Sequence, residues 1–230
     1  MAELAYLEVG ERRIAYRLRE GASPALLFLP GYASDMEGAK ALALDAFAER
    51  RGVAMLRFDY SGTGSSSGRF EDGTLALWLE EALAALDGLT EGPLILIGSS
   101  MGGWLALHLA LLRPDRVHGL IGIAAAPDFT DWGFADVDTA ERQGLARGFW
   151  EAGQKLLLLE NDLAIDCPVR LLHGENDTEV PLDIAFRIMR ALRSSDVQLN
   201  VLKGGGHRLS EAHEIEAILR TATALLEPLS

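Results

Sequence analysis

The chain has 230 residues, 49% of them hydrophobic and 24% charged, with a formal net charge of −13. That length suits one domain with a large single core, and the acidic balance excludes a nucleic-acid binder, which needs a cationic face. No apolar run reaches the roughly 18 residues of a membrane span, and the single cysteine, Cys167, excludes an internal disulfide and agrees with a reducing compartment.

Met1 to Val9 carries Glu3 and Glu8 and no basic n-region, so neither a secretory signal nor an Arg-rich transit segment is expected. Tyr6 to Val9 and Arg13 to Arg19 flank Gly10-Glu11 and predict a β-hairpin. Strands and helices then alternate: strand Ala25 to Leu29, helix Lys40 to Arg51, strand Val53 to Asp59, helix Thr74 to Leu89 and strand Leu94 to Ile97. A helix from Trp104 to Arg113 and a strand from Val117 to Ala124 follow. After a gap come strand Val169 to His173, a helix from about Leu182 to Leu192, strand Val197 to Leu202 and a final helix, Glu211 to Leu226. Continuous apolar strands separated by helices predict an α/β fold: a mostly parallel sheet of eight strands, covered on both faces.

The gap, Asp128 to Asp166, carries Trp132, Phe134, Phe149, Trp150 and the run Leu156 to Leu159. An insertion of that length over a strand edge reads as a lid or cap. For Leu156 to Leu159, an ordinary crossover helix packed on the sheet is an equal reading. Cys167, just before Pro168 at the head of an apolar strand, reads as packing and not as a nucleophile.

The stretch with most chemical content is Gly98-Ser99-Ser100-Met101-Gly102, between the run Leu94 to Ile97 and the helical pattern after Gly103. A buried strand, a Gly-x-Ser-x-Gly corner and a helix make a nucleophile elbow, with Ser100 exposed on a strained turn. A serine hydroxyl is a weak nucleophile near neutral pH and needs a base, which in turn needs an orienting acid. His207 follows Lys203-Gly204-Gly205-Gly206 on a loop leaving the last strand; His108, His118, His173 and His213 lie within or at the ends of regular elements and read as packed or solvated. Asp177 lies in the loop leaving the penultimate strand, with Asp128, after the strand following the elbow, as the rival acid. The order Ser100, Asp177, His207 is that of an α/β-hydrolase.

A tetrahedral intermediate needs two donors for its oxyanion. The backbone N–H of Met101, after the nucleophile, is one, and that of Tyr32 in Leu29-Pro30-Gly31-Tyr32 is the expected second. The segment Asp59 to Ser66 lacks the lysine of a phosphate loop and the spacing of a dinucleotide loop, so it reads as a loop bordering the active site. No histidine and carboxylate cluster has metal-ligand spacing, and no cofactor or metal is implied.

With Pro30-Gly31-Tyr32, Phe58-Asp59-Tyr60-Ser61-Gly62, Gly98-Ser99-Ser100-Met101-Gly102-Gly103-Trp104, Arg170-Leu171-Leu172-His173-Gly174 and His207-Arg208, the chain resembles one α/β-hydrolase group over nearly its whole length. That group contains the palmitoyl-protein thioesterases also described as acyl-glucuronide esterases. The resemblance implies nucleophile Ser100, acid Asp177 and base His207, and as substrate a small-molecule ester or an acylated protein. No motif of the group is matched between Asp131 and Glu160, which leaves the substrate pocket unassigned. Arg208, Arg142 and Arg147 are candidates to meet an anionic leaving group, or are surface charges. With arginine-rich, GC-type composition, these features give the expectation of a bacterial cytoplasmic serine esterase or thioesterase. A peptidase or lactonase on the same fold and a non-catalytic binding module stay open.

Overall fold

The computed structural model describes residues 2–227. The N-terminal hairpin forms β1 (Leu4–Val9) and β2 (Arg12–Arg19), antiparallel across a turn at Gly10. Then come β3 (Ala22–Leu29), α1 (Ala39–Arg51), β4 (Val53–Phe58), α2 (Leu75–Leu89), β5 (Leu94–Ser99), α3 (Met101–Leu112) and β6 (Val117–Ile123). Three short helices follow: α4 (Phe129–Trp132), α5 (Val137–Arg142) and α6 (Arg147–Gln154). The chain closes with β7 (Val169–Gly174), α7 (Leu182–Ala191), β8 (Val197–Leu202) and α8 (Ala212–Leu226). The predicted elements are all present, with boundaries shifted by a few residues.

The sheet has eight strands in the order β1-β2-β4-β3-β5-β6-β7-β8. The pairs β1 with β2 and β2 with β4 are antiparallel, and every pair from β4 across to β8 is parallel. All six residues of β5 are buried because helices cover both faces. Side chains alternate across the sheet, and the core divides accordingly. Leu27, Leu29 and Leu96 pack with Trp78 of α2 and Trp104 of α3, while Leu26, Phe28, Ile95 and Ile97 pack with Leu44 of α1 and Ile218 of α8. Each such side chain, fully buried, contributes about 1.5 to 3 kcal/mol.

The segment between β6 and β7 corrects one reading. Leu156 to Leu159 is not helical. Its polar backbone is satisfied from elsewhere: Trp104 Nε1 and His108 Nε2, one turn apart on α3, both lie 3.0 Å from the Leu156 carbonyl. The Asp128 carboxylate accepts the N–H groups of Leu158 and Leu159 at 2.8 and 2.7 Å. Long-range partners thus replace the local bonds of a helix, which hydrophobic pattern alone does not reveal. The α4 and α6 helices pack together, and α6 also meets α2, so the segment is held to the helical layer on one face of the sheet.

Candidate active site

At the end of β5 the backbone turns sharply, and Ser100 adopts φ 54° and ψ −120° before α3 begins at Met101. A non-glycine residue in such a conformation costs on the order of 1–3 kcal/mol and persists only where its surroundings hold it. Here the Ser100 N–H donates to Ile123 at 2.9 Å and the Ser100 carbonyl accepts from Ala126 at 3.0 Å. Two glycines permit the corner by close approach: a β-carbon on Gly98 would lie 2.3 Å from the Gly102 carbonyl oxygen, and one on Gly102 would lie 2.0 Å from that of Leu29.

Asp177 and His207 arrive on loops leaving β7 and β8, and these loops are stitched together. Glu175 donates its N–H to Leu202 at 2.9 Å, Asn176 donates to Gly205 at 2.8 Å, and the Glu175 carboxylate accepts from Gly204 at 2.9 Å. Lys40, on α1, adds a side-chain bond to the carbonyl of Arg208. The glycines before His207 therefore let the loop run close to β7, where Gly174 faces the Gly205 and Gly206 backbone.

His207 Nδ1 lies 2.9 Å from Asp177 Oδ2, and His207 Nε2 lies 3.0 Å from Ser100 Oγ. An ionised carboxylate only accepts, so Nδ1 carries the proton and Nε2 is free to accept from the serine hydroxyl. The other oxygen of Asp177 accepts the N–H groups of Glu179 and Val180, each at 2.9 Å. Burial alone would raise the Asp177 carboxyl. The His207 bond and the two backbone donors outweigh it and hold the group below the usual aspartate range. The Glu179 carboxylate lies 3.8 Å from His207 Nε2 at the exposed rim. The rival acid, Asp128, faces the backbone N–H groups of Leu158 and Leu159 and makes no contact with His207, which pairs with Asp177.

A cleft of about 570 Å³ opens beside Ser100, lined among others by Pro30, Tyr32, Lys40, Glu179, His207 and Arg208. Gly31 lies against Ser100: a β-carbon there would be 3.3 Å from Ser100 Cβ. Tyr32, the next residue along the chain, lines the same cleft, and Met101 begins α3 directly after Ser100. The Tyr32 ring meets Phe70 at 5.0 Å and Phe149 at 5.1 Å between centroids, so this residue of the cleft is packed from behind by the β6–β7 segment. Burial raises the Tyr32 phenol above its ordinary value.

The segment Asp59 to Ser66 lies one layer behind the cleft instead of lining it. Asp59 accepts from Met36 N–H at 2.7 Å and from Ser65 N–H at 2.8 Å, while Arg57 Nη1 donates to the Met36 carbonyl at 2.7 Å. The end of β4 thus grips both polar groups of one residue in the loop that carries Tyr32. Sequence patterns did not reveal this grip, nor Lys40, whose amine burial and the Arg208 charge push down and Glu214 pushes up, to a net lowering.

Of the arginine candidates, only Arg208 lines the cleft; Arg147 pairs with Asp138 and Glu141, and Arg142 bonds Thr139. Burial pushes the Cys167 thiol up to about 11, in keeping with packing. Among the described residues, no group of three or more His, Cys, Asp or Glu could hold a metal ion, and no helix is long and apolar enough to cross a membrane.

Residues 24–144 match the family described as alpha/beta hydrolase fold, which is more than half of the chain. The chain belongs to this family. It is 37% identical over 237 residues to the human mitochondrial palmitoyl-protein thioesterase ABHD10, covering 94% of this chain and 78% of that protein. The solved structure of the alpha/beta hydrolase domain-containing protein 10 from mouse superposes with a TM-score of 0.93 at 35% identity, covering all of both chains. A structure from Agrobacterium vitis S4, assigned as a hydrolase, gives 0.90 at 36% identity over 99% of each chain. With this α/β-hydrolase membership the eight-stranded architecture expected from the sequence is borne out, as is the likeness to the thioesterase group.

Proposed function

We propose that this α/β-hydrolase cleaves carboxylic esters or thioesters through an acyl-enzyme on Ser100. The observation that carries the reading is the unbroken chain from Asp177 through His207 to Ser100, with contacts of 2.9 and 3.0 Å. His207 takes the serine proton as Oγ attacks the acyl carbon. Asp177 holds the imidazole in the tautomer that can accept it and stabilises the imidazolium that forms. The N–H groups of Met101 and Tyr32 receive the oxyanion, and one such donor is worth about 3 to 4 kcal/mol in the transition state. His207 then gives its proton to the departing alkoxide or thiolate. A water activated by the same ring attacks the acyl-enzyme and releases the carboxylic acid.

The likeness to palmitoyl-protein thioesterases supports an acyl thioester, on a protein or a small thiol, as the substrate class. The Tyr32 ring, which borders the cleft, suits an apolar acyl group, and the segment 128–166, whose Phe149 packs behind that ring, serves as its cap. The polar side of the cleft, with Lys40 and Arg208, suits the leaving group.

Two measurements test the reading. Hydrolysis of matched oxygen esters and thioesters of rising acyl length is compared with Ser100→Ala, which is expected to lose turnover while keeping its fold. A fluorophosphonate is expected to label the wild type on Ser100 and not that variant. Turnover at the wild-type rate in Ser100→Ala refutes the mechanism.

A further inference from the structure

His173 is the penultimate residue of β7, just before Gly174, and is 1% exposed. Its Nε2 lies 2.9 Å from the carbonyl oxygen of Val180. A carbonyl only accepts, so this nitrogen carries the ring proton. The same nitrogen lies 3.5 Å from Asp177 Oδ2, the oxygen that also accepts from His207. Val180, itself 3% exposed, donates its N–H to Asp177 Oδ1 at 2.9 Å. The three residues therefore form a closed ring of polar contacts: imidazole to carbonyl, amide to carboxylate, and carboxylate facing imidazole.

We propose that His173 is a positioning residue which fixes the turn from Asp177 to Val180, and with it the carboxylate that orients His207. This rests on the reading of Ser100, His207 and Asp177 as the reacting set, and His173 acts through Asp177 without touching Ser100. The physical reason is a count of bonds. A carboxylate has about four acceptor positions. Oδ1 of Asp177 fills two with the Glu179 and Val180 amides, and Oδ2 fills one with His207. The buried N–H dipole of His173 faces that second oxygen, and its main bond anchors the residue whose amide fixes the first. Without that donor the Val180 carbonyl is buried and unpaired. The turn then relaxes toward another donor and carries the Asp177 amide contacts with it. A displacement of about 1 Å in such a group is enough to cost on the order of a hundredfold in rate.

The experiment is a double-mutant cycle on the full chain, using a soluble short-chain aryl ester for kcat and KM and a fluorophosphonate for the rate of Ser100 labelling. His173→Leu is expected to lower kcat and labelling together by about ten- to a hundredfold, with KM within about twofold. His173→Gln keeps a side-chain N–H donor at similar reach and is expected to restore most of the rate. In an Asp177→Asn background, where the oriented carboxylate is already gone, His173→Leu is expected to cost less than about twofold more. If His173→Leu does not fold, His173→Asn, whose shorter side chain does not reach the Val180 carbonyl, takes its place in the cycle with the same expected losses, and His173→Gln remains the rescue.

An unchanged kcat in His173→Leu overturns the proposal. So does a full multiplicative loss in the Asp177→Asn background, because that means His173 acts independently of the carboxylate. Wild-type turnover in Asp177→Asn or Ser100→Ala removes the hydrolase mechanism itself, a failure that is read from those single variants before any His173 variant is considered.

Discussion

Asp128 Oδ1 accepts the backbone N–H of Leu158 at 2.8 Å across 30 positions of sequence. Its partner oxygen takes Leu159 at 2.7 Å, so this carboxylate ties the segment between β6 and β7 to the end of β6, while the imidazole of His207 is paired with Asp177 instead. The two candidate acids of the sequence thus have different partners, His207 for Asp177 and two backbone amides for Asp128. Asp128→Ala leaves two buried N–H groups without partners and is expected to lower stability by about 2 kcal/mol, a fall of roughly 4–8 °C in Tm for a chain of this size. Turnover of a small ester is expected to stay within a few-fold. Asp177→Asn is expected to show the opposite balance, with a loss in kcat of up to about 10⁴-fold, the scale known for a serine-protease triad aspartate. Thermal melts and ester kinetics on the two purified variants decide the matter; equal kinetic losses would return Asp128 to the reaction.

Gly102 is a second test, because it separates the elbow from the general stability of the sheet. An alanine there places its β-carbon 2.0 Å from the Leu29 carbonyl oxygen, which is backbone and cannot swing aside. Gly102→Ala is expected to cost about 3 kcal/mol of stability and to displace α3 from the loop that carries Tyr32. The fluorophosphonate labelling rate of the folded fraction should fall by about tenfold or more. Labelling at the wild-type rate per folded molecule would show that the close packing of Gly102 on Leu29 is not needed for reaction.

The sequence carries the frame of this site well, and the reasons are local. Ser100 is legible because a strand, a corner and a helix leave separate marks within about fifteen residues, and His207 because the glycines before it mark a loop after the last strand. Asp177 is legible by place but not by proof, since only the 2.9 Å contact to His207 separates it from Asp128. The segment between β6 and β7 was less legible. Leu156 to Leu159 shows a helix-compatible apolar run, yet its backbone partners are Trp104, His108 and Asp128, far away in sequence. His173 was legible as a buried residue but not as a neighbour of the acid, because the turn that folds Val180 back onto it has no short-range signature.

The grip of β4 on the Tyr32 loop yields a third prediction. Arg57 is fully buried and bonds the Met36 carbonyl at 2.7 Å and the Glu37 carboxylate at 3.0 Å. Arg57→Met keeps much of the volume but strands that carbonyl and leaves Glu37 with Arg17 alone. Stability is expected to fall by about 1 to 3 kcal/mol, the cost of the unpaired buried carbonyl. If the loop sets the second oxyanion donor, kcat should fall by about tenfold while KM changes little. A variant that is less stable but retains full kcat in its folded fraction would confine Arg57 to a structural role.

The shifted carboxyls predict opposite pH responses for the two aspartates. An unfolded aspartate titrates near 3.9. Burial raises the Asp177 carboxyl, but the His207 bond and backbone donors more than offset it, so the folded value lies below that reference. Its contribution to stability is therefore fully present above about pH 3.9 and is lost as pH falls through the lower, folded value. Burial raises the Asp128 carboxyl, and the Leu159 and Leu158 amides offset this only in part, so its folded value lies above the reference. The folded state then takes up the Asp128 proton first, and a penalty present at neutral pH is relieved as pH falls through the folded value. The Tm advantage of wild type over Asp177→Asn should shrink on acidification, whereas its difference from Asp128→Asn should move in favour of wild type. Melts of the three proteins from neutral pH down to the acid limit of folding measure both slopes. Slopes of the same sign would mean that one of the two carboxylates is not held as its contacts require.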